Sequence, residues 1–399
     1  MLASLSLIFI VGLAMGAICQ KLKLPRIIGM LVTGIVLGPY VLDLLDPSIL
    51  SISAELRKMA LIIILLKAGL SLDLKDLKKA GRSAVLLSFV PASFEIVGYV
   101  LCAPAILEIT RVEAAVMGAV LSAVSPAVVI PRMVTLMEKK YGTEKAIPQM
   151  VMAGASCDDI FVIVLFTTFL SIAQGGHANV RDFVNIPVSI VLGIILGAVT
   201  GYGLYLFFET AYARKHCVRN SIKVIIVLGF SFLLVSVEGW LEGKISLSGL
   251  LAVVAMACVI KMKSPVFVSK RLSEKFGKLW LAAEVMLFVL VGAAVDIRYT
   301  LSAGLSAVLM IFVALFFRSV GVLLCVAGTH LTWKERLFCV VAYLPKATVQ
   351  AAIGSVPLAA GLSCGKIVLS VAVLAIIITA PLGAIGMDAA YQRLLEKEN

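Results

Sequence analysis

Charge is what this sequence has least of. Only 15% of its 399 residues are Asp, Glu, Lys or Arg, where a soluble domain carries about 25%, and its mean hydropathy is +1.08. So few charges cannot cover a water-facing surface, which excludes a soluble enzyme and any sizeable soluble domain. Histidine is nearly missing: His177, His216 and His330 are the only three, in loops or at the ends of apolar runs. The eight cysteines, at 19, 102, 157, 217, 258, 325, 339 and 364, form no CxxC and have no histidine nearby, so neither a metal motif nor a disulfide framework is expected. No cofactor is expected either. The basic excess gives a net charge of +12, but it sits in short loops between apolar runs, a pattern of membrane topology and not of a nucleic-acid surface. The opening MLASLSLIFIVGLAMGA lacks a basic leading region, so it reads as an uncleaved first span and not as a signal peptide.

What fills the chain instead is apolar runs of about 20 residues, each long enough to cross a hydrocarbon core about 30 Å thick. Their spacing predicts an all-α membrane protein of thirteen transmembrane helices, near 2–20, 25–43, 55–72, 82–103, 112–136, 147–173, 184–208, 219–238, 245–261, 279–296, 300–328, 334–360 and 364–387. Of the 35 Lys and Arg, 25 fall on one side of these spans, seven on the other, and Lys67, Arg318 and Lys346 inside them. That bias predicts an N-terminus outside and a C-terminus in the cytoplasm.

Faint duplication runs through the sequence. LLKAGLSLDL (65–74) resembles VLVGAAVDI (289–297), with Gly69 and Asp73 matching Gly292 and Asp296 at a shift of 223. Glu95 and Arg318 stand at the same shift, and Pro126 and Pro345 at 219. Seven spans separate equivalent elements, an odd number, so the halves must cross the membrane in opposite senses. Spans 1–6 and 8–13 then form inverted repeats joined by span 7, an arrangement of secondary transporters that bind near mid-membrane.

The ionisable residues inside spans are few. Lys67, Glu238 and Glu284 lie near span ends, where a side chain can reach the headgroups. Glu95, Asp158, Asp159, Arg318 and Lys346 lie deeper, where an unpaired charge costs at least about 2.5 kcal/mol. Asp158 and Asp159, in ASCDDI, stand about 17 Å into their span. Neighbours on a helix point about 100° apart, so the two carboxylates line adjoining walls of one cavity. Close together in low dielectric they cannot both ionise easily and titrate as a coupled unit. Hard oxygens that bind sodium when deprotonated and release it when protonated are what proton-for-cation exchange requires. Glu95 and Arg318, on matching spans, are expected to form a structural charge pair.

Two spans carry mid-membrane breaks. Ser125 and Pro126 interrupt the fifth, in LSAVSPAVVIP, and Leu344, Pro345 and Lys346 the twelfth, in AYLPKATVQAA. Proline removes an intrahelical hydrogen bond and clashes with the preceding turn. Two such breaks at matching places predict discontinuous helices that cross. Backbone or hydroxyl oxygens of Ser125, Ala127 and Val128 are then candidates to coordinate a cation, and Lys346 to balance the carbonyl ends of its own unwound stretch.

ASCDDI, LSAVSPAVVIP, FFRSVGV and AYLPKATVQAAIGS together resemble the sodium/proton antiporters of the cation/proton antiporter superfamily, in particular the NHA type. The resemblance covers essentially the whole chain. It implies exchange of Na+ or Li+ for H+, elevator-like alternating access, and a homodimer in the lipid bilayer. It implies a dimerisation domain from 1–80 and 217–299, a core transport domain from 81–175 and 300–399, and a linker helix in 176–216. Asp158 and Asp159 match the family's ion-binding aspartates. Arg318 stands where electrogenic bacterial members carry a lysine, so the stoichiometry is left open. The end at Asn399, without a long regulatory tail, leads to the expectation of a bacterial inner-membrane protein. Potassium/proton exchange and, further off, a cation channel of the same fold remain as alternatives.

Overall fold

The computed structural model describes residues 1–22, 24–71, 81–175, 180–215, 220–241, 247–297 and 304–398. Asp73, His177, His216 and Cys217, with Lys23, Lys75, Lys78, Lys79, Arg219, Lys244 and Arg298, lie outside the described residues. In chain order the helices are α1 (Leu2–Lys21), α2 (Arg26–Leu37), α3 (Pro47–Ser51), α4 (Ser53–Ser71), α5 (Gly81–Leu87), α6 (Val90–Leu107), α7 (Arg111–Leu121), α8 (Pro126–Glu138) and α9 (Ile147–Ala173). They continue with α10 (Val180–Lys215), α11 (Asn220–Leu241), α12 (Gly249–Lys263), α13 (Val266–Ala293), α14 (Gly304–Cys325), α15 (Trp333–Ala342), α16 (Thr348–Ile353), α17 (Val356–Ala359) and α18 (Gly365–Leu394). Among the described residues there is no strand; one isolated antiparallel bridge joins Tyr141 and Lys397.

Nine stretches among the described residues are long and apolar enough to cross a membrane: α1, α5 with α6, α7 with α8, α9, much of α10, α11, α13, α14 and α18. The four remaining expected spans coincide with α2, α4, α12 and the interrupted run α15–α17. One boundary differs substantially. The tenth span was expected to start at 279, whereas α13 starts at Val266, just after Pro265. Its first half carries Lys270, Arg271, Lys275 and Lys278, which lower its hydropathy, yet Val268, Leu272 and Phe276 are buried at four-residue spacing. Helical periodicity, and not mean apolarity, sets that start.

The described residues form two compact units. One comprises Met1–Ala54, Asp73–Gln174 and Val285–Asn399; the other Glu55–Leu72 and Gly175–Glu284. In the second, α4 packs on α12, and Gly69 has no room for a side chain: a Cβ there would stand 2.7 Å from the Cβ of Ala257 and 2.9 Å from the carbonyl of Val254. In the first, α13 packs on α2, and a Cβ at Gly292 would run into the Leu31 carbonyl and Gly34. Gly69 and Gly292 differ by 223 in number, and so do Leu31 and Val254, and Gly34 and Ala257. The same contact is therefore made twice, once with each half supplying the glycine.

Within the first unit the pattern recurs between α6 and α14. A Cβ at Gly98 would meet the Phe317 ring at 2.8 Å, and one at Gly321 would meet Pro91 at 2.8 Å and Phe94 at 3.2 Å. Gly98 matches Gly321, and Phe94 matches Phe317, again at 223. Exchanging the halves leaves this helix pair unchanged, as an internal two-fold axis between α6 and α14 requires.

Candidate functional site

The two interrupted helices begin alike. Thr110 caps α7, its Oγ1 accepting from the Glu113 N–H (3.3 Å) while Glu113 Oε2 accepts from the Thr110 N–H (2.8 Å). Thr332 and Glu335 make the same reciprocal box on α15, at 3.4 and 2.7 Å. Such a box satisfies two N–H groups that a helix start leaves free. α7 stops at Leu121, the chain extends through Ser122–Ser125, and Pro126 opens α8. α15 stops at Ala342, and α16 opens at Thr348. The two breaks touch: the Ser125 N–H donates to the Pro345 carbonyl at 2.8 Å.

Each half-helix ends in carbonyls without intrahelical partners and carries the negative end of a helix dipole. Cationic and amide side chains from elsewhere in the unit serve them. Lys346 Nζ donates to the Leu121 carbonyl, and Arg318 NH1 to that of Ser122. Gln350 Nε2 donates to Ala123 (2.8 Å) and Leu121 (3.3 Å). Arg318 Nε donates to the Tyr343 carbonyl (2.6 Å) at the end of α15. The Lys346 N–H is taken by Thr379 Oγ1 of α18 at 2.9 Å.

These donors share two acids. Glu95 of α6 lies 2.8 Å from Arg318 NH1 through Oε2 and 2.6 Å from Lys346 Nζ through Oε1. Asp158 of α9 accepts from the Val124 N–H (2.7 Å) and stands 3.3 Å from Arg318 NH2, both through Oδ2. Glu95, Asp158, Arg318 and Lys346 are all fully buried, and Asp159 is 6% exposed. Low dielectric strengthens such pairs, and each charge is tolerated only because several partners surround it. Asp158 Oδ1, Asp159 Oδ1 and the Ser125 hydroxyl are buried oxygens that accept no hydrogen bond among the described residues. They leave the site rich in unclaimed oxygen lone pairs.

Glu95, Asp158, Arg318, Lys346 and Ser125 thus come together around the crossing, with Asp159 the next residue of α9. Three expectations are corrected. Lys346 does not balance its own helix; its ammonium serves α7, and Arg318 serves the helix that carries Lys346. Val128 lies inside the first turn of α8 and its carbonyl accepts from Arg132 NH1 at 3.1 Å, so it is not freed by the break, whereas the Ala127 carbonyl has Pro131 four residues on, which has no N–H to give it. The break frees the carbonyls before Ser125, because a helix leaves its last carbonyls open and not its first. Glu284 does not reach the headgroups: it is 1% exposed in the last third of α13. Lys67 is half-buried, its Nζ 6.0 Å over the Trp280 ring. Sequence reading missed Gln350 as a carbonyl donor and the paired caps, although T-x-x-E at 110 and again at 332 was there to find.

A family model described as sodium/hydrogen exchanger, transmembrane, matches residues 5–388. Sodium/hydrogen exchanger 9B2 of Homo sapiens is 36% identical over 391 residues, covering 94% of this chain and 70% of that protein. Sodium/hydrogen exchanger 9B1 of Homo sapiens is 32% identical over 419 residues, covering 99% and 78%. Among solved structures, the sodium proton antiporter MjNhaP1 from Methanocaldococcus jannaschii superposes with a TM-score of 0.83 over 98% of each chain, at 21% identity, a likeness of fold. The chain belongs to the sodium/hydrogen exchanger family: it is a multi-pass membrane transporter of the cation/proton antiport class and not an enzyme.

Proposed function

We propose that the chain exchanges Na+ or Li+ for H+, with Asp158 and Asp159 holding the cation and the protons by turns. The observation that carries this reading is the pair of buried carboxylates beside the crossed breaks, with unclaimed oxygens on Asp158, Asp159 and Ser125. A small hard cation is held by oxygen ligands. Deprotonated carboxylates and a serine hydroxyl supply such a set without histidine or thiol. Protonation removes the charge and with it the affinity, so one site serves both ions in competition. Arg318 keeps its proton and acts as a fixed counter-charge, leaving the proton load to the aspartates. Should two protons exchange for one sodium, each cycle would move one net charge, worth about 2.3 kcal/mol per 100 mV.

The same reading includes elevator-like alternating access. A core from 81–175 and 300–399 moves against a dimerisation domain from 1–80 and 217–299, in a homodimer. The basic loops favour an N-terminus outside and a C-terminus in the cytoplasm. The test is a pH dye in everted vesicles from an antiporter-deficient strain, with separate pulses of Na+, Li+ and K+. Dequenching by Na+ and Li+ in wild type, lost in Asp158→Asn and Asp159→Asn, is expected. Equal responses from the double variant would overturn the assignment, and dequenching by K+ alone would move it to potassium/proton exchange.

A further inference from the structure

Gln350 is fully buried on α16, and its carboxamide can face only one way. Nε2 reaches the carbonyls of Ala123 and Leu121 at 2.8 and 3.3 Å. A carbonyl accepts and cannot donate, so the NH2 end must point at them. The Ala123 carbonyl and the Val124 N–H belong to one peptide unit, and in a trans peptide they point in opposite directions. Gln350 holds the carbonyl edge of that unit, and Asp158 Oδ2 accepts from the opposite edge at 2.7 Å. Neighbouring carbonyls have other holders, Lys346 and Arg318 on Leu121 and Ser122. For the Ala123 carbonyl, Gln350 is the side-chain donor.

Resting on the antiport reading above, we infer that Gln350 is a positioning residue for ion exchange. It locks the Ala123–Val124 peptide with its N–H towards Asp158, and so sets how well a cation competes with a proton at that carboxylate. The segment Ser122–Ser125 is outside any helix, so no ladder of backbone hydrogen bonds fixes this peptide. With the amide removed, the peptide is free to rotate and withdraw its N–H. A carboxylate that loses a hydrogen bond from N–H holds a proton more readily. Gln350 is neutral, so its replacement changes this geometry without altering the charge of the site.

The experiment is Gln350→Met, close in volume and flexibility but without donors, in reconstituted vesicles, with rates over a matrix of Na+ concentration and pH. At fixed neutral pH the apparent KM for Na+ is expected to rise several-fold. The pH profile should move about one unit alkaline, the shift of a tenfold change in proton affinity. The maximal rate at high pH and saturating Na+ should be kept. Gln350→Asn, whose amide is one methylene shorter, should shift the same way by less, and it carries the test if the Met variant does not fold. An unmoved pH profile with rates lowered equally at every pH would overturn the inference, since stapling the fold alone predicts that result. Wild type run in parallel separates the two claims: failure of wild type to exchange any cation for protons defeats the antiport reading instead.

Discussion

Glu95 and Arg318 are equivalent positions of the two sequence halves, 223 residues apart, and their side chains meet at 2.8 Å. A residue that touches its own counterpart lies on the axis relating the halves. Gly98 against Phe317 and Gly321 against Phe94 repeat the relation on either side. The charge pair therefore sits where the two repeats join, within reach of both interrupted helices.

Breaking that pair tests it. Arg318→Ala leaves Glu95 with Lys346, and Glu95→Ala leaves two cations without their common acid. Either single change should destabilise by about 3–5 kcal/mol, the usual effect of removing one partner of a buried ion pair. The double variant should lose clearly less than the sum, because residues in one network couple. Thermal unfolding in detergent measures all three, and strict additivity would refute the pairing.

Competition at Asp158 and Asp159 makes a second expectation. Both ions need the same carboxylate oxygens, so the apparent KM for Na+ should rise as pH falls, by up to about tenfold per unit for a single shared site. The maximal rate at saturating Na+ should move far less. Steady-state exchange from pH 6 to pH 9 decides it; a KM independent of pH would mean separate sites.

On the face that bears the C-terminus, Lys145 lies 3.0 Å from Glu335, the capping acid of α15, and 3.4 Å from Glu396. Hydrogen bonding to Glu335 holds the Lys145 ammonium above its ordinary value. A group raised on folding contributes in full below its unfolded value, about 10.4, and its contribution is lost as pH climbs through the folded value. Unfolding temperature should thus show no loss from this contact between pH 6 and pH 9. Lys145→Met should lower it throughout that range and flatten any decline above pH 10. A variant that unfolds like wild type at pH 7 would count against the tie.

Close packing at the axis gives a further test. Alanine at Gly98 or at Gly321 places a methyl group 2.8 Å from its neighbour, and overpacking of this kind costs about 1–3 kcal/mol. Because the contacts are equivalent, the two variants should lose similar amounts of thermal stability. Tolerance at one and collapse at the other would contradict the two-fold relation.

Much of this was readable in the residues. Apolar runs gave the spans, prolines at 126 and 345 gave the breaks, and the shift of 223 gave the duplication. Depth within a span singled out Asp158, Asp159, Glu95, Arg318 and Lys346. What could not be read was which charge serves which carbonyl. Lys346 follows the break in its own helix, so sequence proximity pointed there, while its long side chain reaches the opposite break instead. Gln350 reads as polar but without a role, because a neutral amide in an apolar helix gives no electrostatic signal. The early start of α13 was hidden for the opposite reason, since its lysines and Arg271 lower hydropathy while its buried stripe continues beneath them. The paired T-x-x-E caps needed only a comparison of the two halves, and replacing Thr110 or Thr332 by alanine should each cost about 1 kcal/mol.

The position of Glu95 and Arg318 also says something about ancestry. If the halves descend from one short gene whose product paired with an inverted copy of itself, identical chains would have put the same side chain on both sides of the axis. Two glutamates or two arginines would have faced each other there, buried and repelling. An acid opposite a base at that place needs two halves whose sequences can mutate separately. On that descent the bond between α6 and α14 is younger than the helix contact around it, and it depends on the two halves having become different.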